Sequence, residues 1–124
     1  MRFKVWQQSV ESVAILVCEG RLVFGPECEG FSRAADDALL QSTELVVDLR
    51  RVSFLDDHGL GAVLMLVRHA RERGGDVRLV LPGTRSLVNR VIEVTKVGNI
   101  VRTFSNDMDA VGSYTEMFSR SIAV

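Results

Sequence analysis

The hydrophobic positions of this chain change period several times, and the changes mark out its elements. Phe3 to Ser9 alternates loosely, with Phe3, Val5 and Gln7 set against Lys4, Trp6 and Gln8. This predicts a strand with one wet face, near a sheet edge. A short turn over Val10, Glu11 and Ser12 leads to Val13–Glu19, whose run Val-Ala-Ile-Leu-Val-Cys reads as a second strand buried on both faces. The two are expected to form a hairpin. Gly20, Gly25 and Pro26 then break the chain, and Leu22, Val23 and Phe24 between them fit a strand end or an apolar loop. Proline is favoured in the first turn of a helix. From Pro26 onward Phe31, Ala34, Ala35, Ala38 and Leu39 recur at helical spacing, which predicts an amphipathic helix to about Gln41.

Glu44–Leu49 is strand-like, followed by a polar loop at Arg50 and Arg51 and a further apolar stretch from Val52 to Leu55. Asp56-Asp57-His58-Gly59-Leu60-Gly61 opens the clearest helix, with Leu60, Val63, Leu64 and Val67 on one stripe and Gly74-Gly75 as its stop. Val77–Leu81 is another strand, ended by Pro82-Gly83. Leu87, Val88, Val91, Ile92 and Val94-Thr95 predict a short helix ending near Gly98-Asn99. Ile100–Phe104 is a last strand, and Asn106-Asp107 can cap a helix over Met108–Phe118. The last few residues are expected to be loosely held. The order β-β-α-β-α-β-α-β-α predicts one α/β domain over residues 1–124, built on a mixed, mostly parallel sheet of four to five strands with about four helices.

The chain has 124 residues, 47% hydrophobic and 25% charged, enough for one core without disulfides or metals. A formal net charge of -1 supplies no basic field, so nucleic acid is not expected as a partner. Cys18 and Cys28 lie in different predicted elements and form no metal-ligating pattern, which points to reduced thiols. No basic stretch leads into an apolar segment at the start, and the longest apolar run is Val13–Cys18. The expectation is a cytoplasmic protein with no membrane insertion and no cofactor.

Chemistry concentrates at Asp56–Gly61. Two acids and a histidine precede Gly-Leu-Gly where a strand gives way to a helix, a position at which parallel α/β folds place binding sites. Helix capping alone explains part of this, with Asp57 the N-cap candidate, its carboxylate favoured by the free N–H groups and the helix dipole. The helix face opposite the core stripe carries His58, Ala62, Met65 and His69, with Leu66 and Glu72 at its margins. It is short of charge and includes a soft methionine, as suits a protein contact. Cover by a neighbouring element, or a merely neutral surface, would read the same way.

Leu45-Val46-Val47-Asp48-Leu49, Val52-Ser53-Phe54-Leu55-Asp56 and Gly59-Leu60-Gly61-Ala62 together resemble the signature of STAS domains, the antagonists of anti-sigma factors in bacterial partner switching. Gly20-Arg21-Leu22 and the segment Val91–Phe104 extend the resemblance to nearly the whole chain. It implies binding to a kinase-like anti-sigma factor, which releases a sigma factor and phosphorylates the antagonist. In that family the acceptor lies in an Asp-Ser-Ser/Thr-Gly motif at a helix start. Here Asp56 and Gly59 match the motif, but Asp57 stands at the phospho-acceptor position and His58 at the next. An Asp57 carboxylate cannot be phosphorylated as a serine is. It carries one charge against roughly -1.5 to -2 for phosphoserine. The expectation is therefore a binding module that is phosphorylation-independent or weakly phospho-mimetic.

The implied contact surface is Phe24, Gly25, Pro26, Asp56, Asp57, His58, Gly59, Gly61, Ala62 and Met65. The same outer strip could serve a homodimer. The resemblance also admits a STAS-like subunit of a transporter ATPase or of a stress-signalling assembly. An enzyme using Asp56, Asp57 and His58 with a metal or a phosphoryl group is the remaining reading. The chain contains no HExxH, GxSxG or P-loop to support it, so no catalytic residue and no metal site is assigned.

Overall fold

The apolar run of the second strand becomes the middle of the fold because both of its faces are covered. The structure, a computed structural model, describes the backbone of residues 2–123 and the side chains of residues 2–115. Strand β1 (Lys4–Val10) and strand β2 (Val13–Leu22) form the expected antiparallel hairpin, in register from Lys4 opposite Glu19 to Val10 opposite Val13. Helix α1 (Pro26–Gln41) then returns the chain to strand β3 (Glu44–Leu55), which lies parallel to β2. Helix α2 (Asp57–Glu72), strand β4 (Asp76–Val80), helix α3 (Leu87–Thr95), a 3₁₀ turn (Val97–Asn99), strand β5 (Arg102–Phe104) and helix α4 (Asp107–Ala123) complete the chain. The sheet order is β1-β2-β3-β4-β5, with one antiparallel pair and three parallel ones. The looseness expected of the last few side chains falls outside the described residues.

One face of the sheet packs Leu16, Cys18, Leu45, Val47 and Leu79 against Phe31 and Ala38 of α1, Val63 and Val67 of α2, and Val88 and Ile92 of α3. The other face packs Val13, Ile15, Val17, Val46 and Val80 against Ala110, Val111 and Tyr114 of α4. Each such buried side chain contributes about 1.5–3 kcal/mol, so the two layers account for the alternation of the sequence pattern. Helix α4 is also pinned by polar contacts. The Tyr114 hydroxyl lies 2.8 Å from the carbonyls of Leu45 and Asp76, and it accepts from the Leu45 N–H at 3.2 Å. Its ring lies over the buried Arg78 guanidinium, 4.1 Å from the ring centre, and Arg78 donates to Ser113 Oγ at 2.8 Å.

Three expectations are corrected. Arg50 and Arg51 do not form a loop; β3 runs unbroken through them. The Arg50 guanidinium folds back onto the buried Asp48, donating to its two oxygens at 3.1 and 2.8 Å. Arg51 stands opposite Glu19 in the ladder, their charges 3.7 Å apart, and the extra residues are absorbed by two shifts in the β2–β3 register. Gly20 does not end β2. At φ +106 it lets the strand continue past the backbone of Arg2, whose carbonyl oxygen would lie 2.9 Å from a Cβ at position 20. Leu66, placed at the margin of the outer face of α2, is buried in the core beneath that helix.

Candidate functional site

The chain leaves β2 and β3 at neighbouring points, and one carboxylate ties the two exits together. Asp56 is the N-cap of α2, not Asp57: its backbone is extended (φ -93, ψ -178) and its Oδ1 accepts from the Gly59 N–H at 2.7 Å. Its Oδ2 accepts from the Phe24 N–H at 3.0 Å, which fixes the loop after β2. Partial burial pushes the Asp56 pKa up, but the N–H donors of Phe24 and Gly59 and the nearby His58 outweigh it and hold the carboxyl below its ordinary range. Asp57, the next residue, points into solvent, its side chain 94% exposed.

Gly59 is buried in the first turn of α2. A methyl group there would fall inside van der Waals contact of the Leu22 carbonyl oxygen and 2.9 Å from Leu55 Cδ1. The glycine therefore lets the first turn of α2 lie directly on the end of β2. Gly61, one half-turn on, has open space where a Cβ would stand. Gly25 takes φ +113, ψ -147, a backbone region essentially reserved for glycine, and Pro26 follows as the first residue of α1.

These constraints leave a groove of about 420 Å³ between the N-terminal halves of α1 and α2, lined by Phe24, Gly25, Cys28, Glu29, Ser32, His58, Gly61, Ala62 and Met65. Phe24 is 71% exposed and Met65 48%, unusual for side chains of their size. The Phe24 and His58 rings meet at 4.7 Å between centres, tilted by 59°, and form the groove's upper rim. His58 Nδ1 lies 3.5 Å from Asp57 Oδ1.

Six of the ten residues named from the sequence thus line one groove: Phe24, Gly25, His58, Gly61, Ala62 and Met65. Asp56 braces it, and Asp57, outside the lining, lies beside His58. Pro26 faces a different depression, with Arg2, Phe3, Val5 and Arg21. The sequence reading missed Cys28, Glu29 and Ser32, the α1 wall. The spacing of Cys28 and Ser32, small residues one turn apart on a helix otherwise read only for its core stripe, was the available signal. The Cys28 thiol is pushed up in pKa by partial burial and by the carboxylates of Asp56 and Glu27, so it is held as the unreactive thiol.

Asp56, Asp57 and His58 also bring one ligand atom each within 4.8 Å of one another, the one such trio among the described residues. Both oxygens of Asp56 are already committed to backbone N–H donors. That leaves two adjoining exposed groups, short of the three or four protein ligands a zinc site takes. The geometry suits a rigid, mildly acidic contact surface better than an ion.

A layered sheet with a braced groove at the ends of two parallel strands defines a small α/β domain. The family model described as "Mlab, STAS domain" matches residues 12–102, and the chain belongs to the STAS domain family. No curated protein sequence matches it. Among solved structures, an anti-sigma factor antagonist from Mycobacterium paratuberculosis superposes with a TM-score of 0.81 at 18% identity, over 90% of this chain and 93% of that one. The anti-sigma factor antagonist SpoIIAA in its unphosphorylated form gives a TM-score of 0.68 at 18% identity, over 93% and 98%. An antisigma-factor antagonist STAS domain from Rhodobacter sphaeroides gives 0.52 at 27% identity, over 63% and 85%. No helix of the described residues is long and apolar enough to cross a membrane.

Proposed function

We propose that this chain is a non-enzymatic, protein-binding module of the antagonist type, which takes a kinase-like anti-sigma factor on the groove between α1 and α2 without a phospho-switch at position 57. The observation that carries this reading is the exposure of Phe24 and Met65 around a preformed groove braced by Asp56. A rigid apolar recess with a polar rim is the anatomy of a protein-contact hot spot. Asp57 supports the second half of the reading: it is fully available to a partner, and its carboxylate has no hydroxyl to receive a phosphoryl group.

The test is a pull-down from the native cell lysate with three tagged forms: wild type, Asp57→Ser, and His58→Glu combined with Met65→Glu. Recovery of a kinase-like anti-sigma factor by the wild type, lost in the doubly substituted and correctly folded form, is the expected result. Recovery by Asp57→Ser alone would mean that Asp57 holds the protein in a non-binding state. Equal recovery by all three would refute the groove as the contact surface. Consistent recovery of a transporter ATPase or a stress-assembly protein instead would replace the anti-sigma reading.

A further inference from the structure

Strand β1 is the one long open edge of the sheet; β5, at the other edge, has three residues. Edge strands are normally blunted by proline, bulges or repeated charge. β1 has no proline, no acid and no break in its register with β2, and its only charge is Lys4 at its start. The two-residue turn Glu11–Ser12 closes on Val10 opposite Val13. The closing pair of such a turn is hydrogen bonded. Alternation along an antiparallel ladder then turns the N–H and C=O groups of Val5, Gln7 and Ser9 outward.

We propose that a second copy of this chain pairs on that edge, β1 against β1 in antiparallel register about Gln7, to give a continuous ten-stranded sheet. This register sets Val5 opposite Ser9 of the other copy and Gln7 opposite its own mate, so all three outward-facing residues are used on each side. Lys4 falls opposite the uncharged Val10, and no like charges meet. Trp6, the only tryptophan of the chain and 37% exposed, falls opposite Gln8, which brings the two indoles onto one face as diagonal neighbours within contact of each other. A register centred on Val5 or Ser9 would leave part of each strand unpaired. Charge placement and strand length thus select a symmetric, self-complementary contact, which closes as a dimer. Seven residues a side make a small interface, so the dimer is weak and concentration-dependent. No residue of β1 lines the groove between α1 and α2, so the pairing is independent of what that groove binds.

Sedimentation velocity across a wide range of protein concentration tests this. The wild type should shift from monomer to dimer as concentration rises, while Trp6→Lys and Gln7→Pro remain monomeric. Proline at an edge position whose N–H faces solvent is compatible with the strand; circular dichroism confirms folding. In a Cys28→Ser background, Gln7→Cys should form a disulfide-linked dimer under mild oxidation, since its Cα would face its mate across a hydrogen-bonded pair at about 5.5 Å. Leu40→Cys, exposed on α1, should not. A wild type that stays monomeric throughout overturns the proposal. So does a dimer that survives Trp6→Lys, or one in which Gln7→Cys links no faster than Leu40→Cys, because association would then run through another surface or another occupant.

Discussion

Gly59 and Gly61 occupy the same helix two residues apart, and the same substitution should have opposite effects at the two. An alanine methyl at position 59 would stand 2.9 Å from Leu55 Cδ1 and 3.0 Å from the Leu22 carbonyl carbon, and closer still to its oxygen. Leu55 sits in the core and Leu22 belongs to β2, so neither can yield without moving packed structure. Overpacking of this kind costs about 1–3 kcal/mol, and a clash with backbone belongs at the upper end. Against it stands the helix-propensity gain of alanine over glycine, about 1 kcal/mol. The net for Gly59→Ala is a loss of about 2 kcal/mol. At Gly61 nothing lies within 4 Å of the added methyl, so only the gain remains. With an unfolding entropy of about 2.1 cal/mol/K per residue, a chain of this length loses roughly 8 °C in Tm for Gly59→Ala and gains roughly 4 °C for Gly61→Ala. Differential scanning calorimetry of the two variants beside the wild type reads this directly. Gly61→Ala should still weaken partner binding, because its methyl enters the groove. Equal melting temperatures for the two variants would refute the close approach of α2 to β2 on which the site geometry depends.

Two further predictions concern carboxylates. Asp56→Ala should cost about 1–2 kcal/mol as a lost helix cap, and it should also release the Phe24 loop, seen as faster amide exchange at Phe24. Because the Asp56 pKa is lowered in the fold, its contribution is complete above the ordinary carboxylate range and disappears as pH falls through the lowered value, so Asp56→Ala and wild type should converge in stability under acid. Asp107 shows the opposite sign. Burial and the Asp48 carboxylate push its pKa up against the opposing Arg50 guanidinium, which it meets at 2.9 Å, and its Oδ1 is buried without a partner. Its contribution is complete at low pH and lost as pH rises through the raised value. Relative to wild type, Asp107→Asn should therefore gain in Tm as pH rises through the raised value and level off above it; a uniform difference across pH would contradict the burial of Asp107 beside Asp48.

Much of the fold was legible because burial on both faces leaves long apolar runs, as in Val13–Cys18 and Leu45–Leu49, and because Pro26 and the Gly74-Gly75 pair punctuate helices in the usual places. What misled the reading was local. Arg50 and Arg51 look like loop residues until their carboxylate partners, Asp48 beside them and Glu19 thirty-two positions away, are in place. Of the two adjacent acids, the sequence pattern favours Asp57 as the cap; the extended backbone of Asp56 and the bond it accepts from the Gly59 N–H place the cap one residue earlier than expected. Leu66 sits about 100 degrees from its neighbours on the helix wheel, at the border between faces, and the width of the core beneath α2 put it inside. The α1 wall of the groove was invisible for a related reason. Cys28 and Ser32 carry no strong chemistry alone and gain meaning only from the helix that lies across from them.

The division of labour between Asp56 and Asp57 has a consequence for how such a domain can change its behaviour. Asp56 is doubly bonded to backbone N–H groups of two elements, while Asp57 beside it is exposed and contacts only the neighbouring His58. A change of side chain at position 57 thus costs folding no more than about 0.3–1 kcal/mol, which is what an exposed first-turn acid contributes through the helix dipole. A change at position 57 therefore alters the surface offered to a partner and leaves the Asp56 brace beneath it intact.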